Sequence, residues 1–171
     1  MSEANKQVAL DFVQAMSDAD AEGMARCTTP DAETFTKGFG KVSGRRNRET
    51  MLATTAAFHD IIPTGLRPKI GKVVAEHDTV VVEFEGNAVL SNGQPYTNQY
   101  VFVFSFADGK IRQLNEYFCT VHADERILPL LAQQAMPWPT ATDGWPGRRH
   151  HKSRRSEPLP DAKLTHHPQP V

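Results

Sequence analysis

The sequence predicts an α+β fold in which a curved antiparallel sheet wraps around helices, and three observations carry that prediction. The stretch from Asn87 to His122 is a long run of β-branched and aromatic side chains punctuated by Ser91-Asn92-Gly93 and Asp108-Gly109, the strongest short-range signal for antiparallel hairpins. Helical periodicity appears in the first half of the chain, so helices gather at one end of the sheet and cover one of its faces. Hydrophobic periodicity then stops before Met136, which confines the fold to residues 1–136.

Taken in order, Val8, Phe12 and Met16 recur every fourth position and predict an amphipathic helix from Ser2 to Met16. Asp20 is placed to cap a second, short helix over Ala21 to Cys27, closed by Thr28-Thr29-Pro30-Asp31. Residues 32–41 alternate poorly and read as a short irregular strand and a loop. Asn47 caps a third helix, in which Met51, Thr55, Phe58 and Ile62 keep helical spacing until Pro63. Strands follow over Arg67–Ala75, Thr79–Val89, Gln94–Ala107 and Lys110–Val121. A last helix, Asp124–Gln134, contains Pro129 and should be shortened or distorted by it.

A chain of 171 residues is long enough for one sizeable core. Seven of its 12 prolines and both tryptophans follow Met136, and a stretch that poor in apolar groups cannot offset its ordering entropy. Residues 137–171 are therefore expected to be a disordered Pro/His/Arg-rich tail. The body carries 13 basic and 17 acidic residues and the tail 6 and 3. Neither balance is extreme enough to argue for nucleic acid. No apolar run is long enough for a membrane span, two cysteines make no disulfide framework, and the start lacks the pattern of a signal peptide. A cytoplasmic protein is expected. His/Cys/Asp ligand spacing and Gly-rich phosphate loops are both missing, so neither metal nor cofactor is expected.

Strand alternation groups Glu83, Glu85 and Asn87 on one face, Asn98, Tyr100, Phe102 and Phe104 on one face, and Leu114, Glu116 and Phe118 on one face. Taken as concave faces, they predict an aromatic pocket whose polar groups are Glu85, Glu116, Asn98 and Tyr100, the usual form of a site for a small apolar organic molecule. Each of these polar residues has a structural alternative, as a solvated strand face or a cross-strand pair. Phe58 and His59 end the third helix near the mouth of such a pocket, and His122 ends the last strand. Cys119 reads either as a site thiol or as a small buried hydrophobe. Val80, Val82, Phe84, Val101 and Val103 would then form an apolar second face, which predicts a homodimer through the sheet.

The first helix, the Asp18-Ala19-Asp20 break, Thr29-Pro30-Asp31-Ala32, the hairpin from Gly93 to Tyr100, Asp108-Gly109-Lys110-Ile111 and Glu116-Tyr117-Phe118 together resemble the SnoaL-like family. Its superfamily also holds ketosteroid isomerase, scytalone dehydratase, limonene epoxide hydrolase and nuclear transport factor two. The resemblance covers roughly residues 5–134. It implies a cone-shaped, cystatin-like scaffold and a cofactor-independent enzyme, although the same scaffold also hosts non-catalytic binding or dimerisation modules. The places of the isomerase catalytic groups fall on Phe12, Thr36 and Phe102, none of which can shuttle a proton between carbons. The epoxide hydrolase is similar in the spacing from Gly93 to Gly109, and its two carboxylate places fall on Glu85 and Glu116. The resemblance therefore implies carboxylate acid/base chemistry from Glu85 and Glu116, of epoxide hydrolase, hydratase/dehydratase or cyclase type. Phe12, Thr36, Phe58, His59, Asn98, Tyr100, Phe102, Phe118 and Cys119 would surround the substrate. Glu83 stands where that hydrolase has an arginine, Thr34 and Thr36 where it holds water, and Cys119 where relatives carry an aspartate.

Overall fold

The computed structural model describes residues 2–133; the expected tail, 137–171, lies outside the described residues. Helices α1 (Ser2–Ser17) and α2 (Ala21–Cys27) lead into strand β1 (Thr28–Lys37), followed by β2 (Gly44–Asn47) and helix α3 (Arg48–Ile61). Strands β3 (Lys69–Glu76), β4 (Thr79–Val89), β5 (Pro95–Ala107) and β6 (Lys110–Phe118) then form the meander, and α4 (Thr120–Arg126) and α5 (Leu128–Gln133) follow it. The six strands form one curved, unclosed sheet in the order β2-β1-β6-β5-β4-β3. Every neighbouring pair is antiparallel except β1 with β6, which run parallel. Helix α1 packs against β3, β4 and β6, and α3 packs against β1 and β2.

Helices α2 and α3 start where their caps dictate. Asp20 Oδ1 accepts from Gly23 N at 2.8 Å, and Asn47 Oδ1 accepts from Thr50 N at 2.9 Å, each satisfying an orphan amide of the first turn. At the hairpin between β5 and β6, Asp108 (φ 50°) and Gly109 (φ 74°) are both left-handed, as a tight turn matching strand twist requires.

Several boundaries differ from expectation. Strand β1 begins directly after α2 and tolerates Pro30, because its register with β6 shifts between Thr28 and Glu33 and no ladder amide is needed there. Four residues of β2, too few and too basic to show alternation, pair with β1. Strand β6 stops at Phe118 because the Asn98 side chain takes the next rung: its Oδ1 accepts from Cys119 N at 3.3 Å and its Nδ2 donates to Cys119 O at 3.2 Å. The chain then turns into α4, and Pro129 enters a separate helix at its second residue, where a missing amide costs nothing.

The largest correction concerns β4. Its inward side chains are Val80, Val82 and Phe84, all 1 % exposed or less, while Glu83, Glu85 and Asn87 point outward into solvent. Expectation had these two faces reversed. The register explains the outcome: Val82 pairs with Phe102 and Phe84 with Tyr100, so the apolar set of β4 faces the same way as the aromatic set of β5. Burying these three side chains contributes about 1.5–3 kcal/mol each, whereas burying unpaired carboxylates costs free energy. Consequently the outer face consists of Val81, Val101, Val103 and Tyr117 interleaved with Glu83, Glu85 and Gln99.

Gly86 occupies a special place in this core. A Cβ there would lie 2.6 Å from Leu66 Cδ1 and 3.1 Å from Tyr100 Cε2, so the missing side chain is what lets Leu66 lie against the sheet. Gly86→Ala is expected to cost about 1–3 kcal/mol through overpacking, read as a lower urea midpoint at unchanged slope.

Candidate functional site

The inner face of the sheet and the covering helices enclose a cavity of about 100 Å³. Its wall is mainly apolar: Phe58 and Ile62 from the end of α3 and the residue after it, Leu66 from the following loop, Tyr96, Tyr100 and Phe102 from β5, Phe118 from β6, and Ala123 and Ile127 beyond. Aromatic rings brace one another, with Tyr100 stacked on Phe84 at 4.8 Å and tilted on Phe118 at 5.3 Å.

One carboxylate enters this wall. Glu116 of β6 pairs in register with Thr36 of β1, which pairs with Gly44 of β2, so a three-strand row ends under the cavity. The Thr36 hydroxyl donates to Glu116 Oε2, and Arg46 Nη1 donates to Thr36 Oγ1 at 2.9 Å. Since the Thr36 proton is committed to Oε2, an acidic proton on Glu116 resides on Oε1. Burial raises the Glu116 carboxyl above its ordinary range; the Thr36 hydroxyl, the Arg46 charge and the Thr34 hydroxyl pull it partly back. Thr34 Oγ1 makes no hydrogen bond of ordinary geometry, so its influence is the weakest. The surface that Glu116 retains is consistent with this desolvation, because that surface belongs to the cavity wall and protein surrounds the side chain.

Arg46 is the residue the sequence did not reveal. It is buried on β2, Nη2 donates to the Val42 carbonyl, and desolvation weakens its charged state while Glu116 strengthens it. The cation missing at Glu83 is thus delivered from the other edge of the sheet. Val42 also lines the cavity, and its amide, with that of Lys41, is held by the Asp124 carboxylate of α4, at 2.9 Å for Val42. A chain of hydrogen bonds therefore runs from Asp124 through Val42 and Arg46 to Thr36 and Glu116.

The other expected site residues divide into three groups. Thr36, Phe58, Tyr100, Phe102 and Phe118 line the cavity together with Glu116. Phe12 is fully buried in the core, edge-on to Phe104 at 5.5 Å, and Asn98 is the buried clip on Cys119. Glu85, His59 and Cys119 are exposed, and Glu85 and Cys119 border an open depression on the rim with His122. The structure does not bring Glu85 and Glu116 together: they point to opposite faces of the sheet. Tyr96, which also lines the cavity, could have been found by extending the Asn98-Tyr100-Phe102 alternation two residues back. No group of three or more His, Cys, Asp or Glu among the described residues could hold a metal ion, and no described helix is long and apolar enough to cross a membrane.

Comparison with known proteins decides the family. The SnoaL-like domain profile matches residues 9–114, well over half of the chain. The chain belongs to the SnoaL-like domain family. Among solved structures, this SnoaL-like chain is similar to Bal32a from a soil-derived mobile gene cassette, at 19 % identity and TM-score 0.64 over 73 % of this chain and 97 % of that one. It is also similar to a putative SnoaL-like polyketide cyclase from Jannaschia sp. CCS1, at 19 % identity and TM-score 0.60, covering 74 % and 92 %. A Mycobacterium tuberculosis epoxide hydrolase of the limonene epoxide hydrolase-like type shares 17 % identity and TM-score 0.61 over 78 % and 96 %. At these identities the likeness concerns the fold. No curated protein matches the chain.

Removing the buried charge should move the acid. Arg46→Met is expected to shift the carboxyl titration of Glu116 to higher pH, because the one cation that favours its ionised form is lost; carbon-13 NMR of the side-chain carboxyl reads this directly.

Proposed function

We propose that this SnoaL-like protein is a cofactor-independent enzyme that uses Glu116 as its acid/base on a small, largely apolar organic substrate. The observation that supports this reading is a single ionisable carboxyl set in an aromatic cavity, its pKa raised by burial and its Oε2 already fixed by Thr36. A carboxyl pushed upward is present in both protonation states nearer neutral pH, which is what general acid/base catalysis needs.

The geometry favours hydration, dehydration and aldol-type cyclisation over epoxide opening. Epoxide hydrolysis by the two-carboxylate route asks for a base on water and a separate acid on the ring oxygen, and Glu85 lies on the far face of the sheet. A single carboxylate suffices for dehydration of a β-hydroxy ketone. Glu116 takes the α-proton as the C–H bond breaks, the C=C bond forms as the C–O bond breaks, and the same carboxyl returns the proton to the departing oxygen as water. The free space, small beside the roughly 300–1,000 Å³ of sites for drug-sized ligands, argues for a compact substrate.

Glu116→Gln keeps the side chain's shape and removes its acidity. In a panel of small hydroxy ketones and enones assayed by mass spectrometry, any turnover should fall by about 100-fold or more while circular dichroism stays unchanged; equal turnover would end the assignment. A stability signature accompanies it. Because the folded pKa of Glu116 lies above the unfolded value, its contribution is fully present below about pH 4.5 and is lost as pH rises through the raised value. The melting temperature of the wild type should therefore decline more steeply than that of Glu116→Gln between pH 4.5 and neutrality.

We also propose that the sheet forms a homodimer through its outer face. There Glu83, Val101, Tyr117 and Lys37 lie in one cross-strand row, apolar at its centre and oppositely charged at its ends, which suits a two-fold contact. Light scattering at micromolar concentration should return twice the chain mass; a monomer mass refutes it.

A further inference from the structure

The tyrosines Tyr96 and Tyr100 stand four residues apart on β5, both buried and both lining the cavity. Their hydroxyl oxygens lie 3.4 Å apart. A neighbouring amide fixes the direction of this small network. Asn98 Oδ1 accepts from Gln99 N at 2.9 Å and from Cys119 N, which identifies the oxygen end of the side chain. Its Nδ2 can only donate, and it donates both to Cys119 O and to Tyr96 Oη at 3.0 Å. Tyr96 Oη is therefore an acceptor from Asn98.

The two hydroxyls carry two protons, and only one of them can serve the bond between the oxygens. The second has no acceptor among the described residues. Buried polar hydrogens are satisfied as a rule, and both tyrosines line the cavity, a space open to either hydroxyl. We infer that Tyr96 and Tyr100 act as a paired donor that gives one hydrogen bond to a carbonyl oxygen of the ligand, so the ligand is an otherwise apolar aldehyde or ketone. This deepens the reading of the cavity as a small-molecule site and rests on it, while leaving open whether Glu116 is catalytic.

Chemistry favours a carbonyl over an anion. Burial holds both phenols in their neutral, donating form, raising Tyr100 well above the ordinary tyrosine range and Tyr96 above it. Among the described residues, the charged groups facing the cavity wall from the sheet are Glu116 and, behind Thr36, Arg46, while α1 and α3 contribute Met16, Ser17 and Phe58. A carboxylate ligand would suffer charge repulsion from an ionised Glu116; a neutral ketone does not. Phenols positioned in a dry site also discriminate strongly, because an isostere without the oxygen leaves their surplus proton unsatisfied.

The test uses two isosteric probes: acetophenone, and α-methylstyrene, in which C=CH₂ replaces C=O. Binding is followed by NMR titration of the Ile62 and Ile127 methyl signals. The wild type should prefer the ketone by about 5- to 10-fold, the effect of one hydrogen bond. Either single substitution, Tyr96→Phe or Tyr100→Phe, removes one proton and one bond between the hydroxyls, so a donor survives and the preference should persist. Only the double variant should lose it. No preference in the wild type, its loss in a single variant, or its persistence in the double variant would each overturn the proposal; persistence in the double variant would assign the bond to Glu116. Should the double variant fail to fold, the carbonyl carbon of labelled acetophenone must move downfield on binding to the wild type, and an unshifted signal is equally decisive. Turnover lost in Glu116→Gln bears on the reaction alone, so the two readings fail separately.

Discussion

The pairing of β4 with β5 is the constraint from which the rest of the molecule follows. Eleven residue pairs, from Thr79 with Ser105 to Val89 with Pro95, hold without a slip. Because side chains alternate strictly, this register decides in one stroke that Phe84, Tyr100 and Phe102 look inward and that Glu83, Glu85 and Val101 look outward. The aromatic wall, the Leu66 contact over Gly86 and the mixed apolar and charged outer face all descend from it.

The polar side of the cavity has a different origin. It is built where three strands from separate parts of the sequence, β2, β1 and β6, lie side by side, and it places a buried arginine within one hydroxyl of a buried glutamate. Two such ions gain little as a stabilising pair once desolvation is counted. Their arrangement makes more sense as tuning: the arginine restrains how far burial can lift the acid, and threonine separates them so that Oε1 is not consumed by the cation.

Much of this was legible in the sequence. Helix α2 and its Asp20 cap, α3 and its Asn47 cap, the turns at Gly93 and Asp108-Gly109, and the inward set Asn98, Tyr100 and Phe102 each rest on local chemistry that a few neighbouring residues express. The inward face of β4 was recoverable too, by counting back from the Ser91-Asn92-Gly93 turn, since residues paired across a ladder share a face. Two alternating sets, Val-Val-Phe and Glu-Glu-Asn, compete on that strand, and assigning the carboxylates inward ignored the cost of burying them. Arg46 and the parallel β1–β6 pairing were not recoverable, because a four-residue strand carries too little pattern and a parallel partner far along the chain leaves no local trace. Asn98 was found but its work was not: it completes a backbone rung, which no side-chain periodicity reports.

The Asp124 clip on Lys41 and Val42 spans a separation of 83 and 82 residues, and the Thr36–Glu116 bond spans 80. Closing a flexible loop of that length costs about 4 kcal/mol in chain entropy before any contact repays it, whereas the hairpins of the meander close cheaply. The acid and its cation therefore depend on contacts between segments far apart in the chain. The cavity's charge chemistry thus exists only where the two halves of the chain meet, while its aromatic wall is supplied by neighbouring strands of the meander.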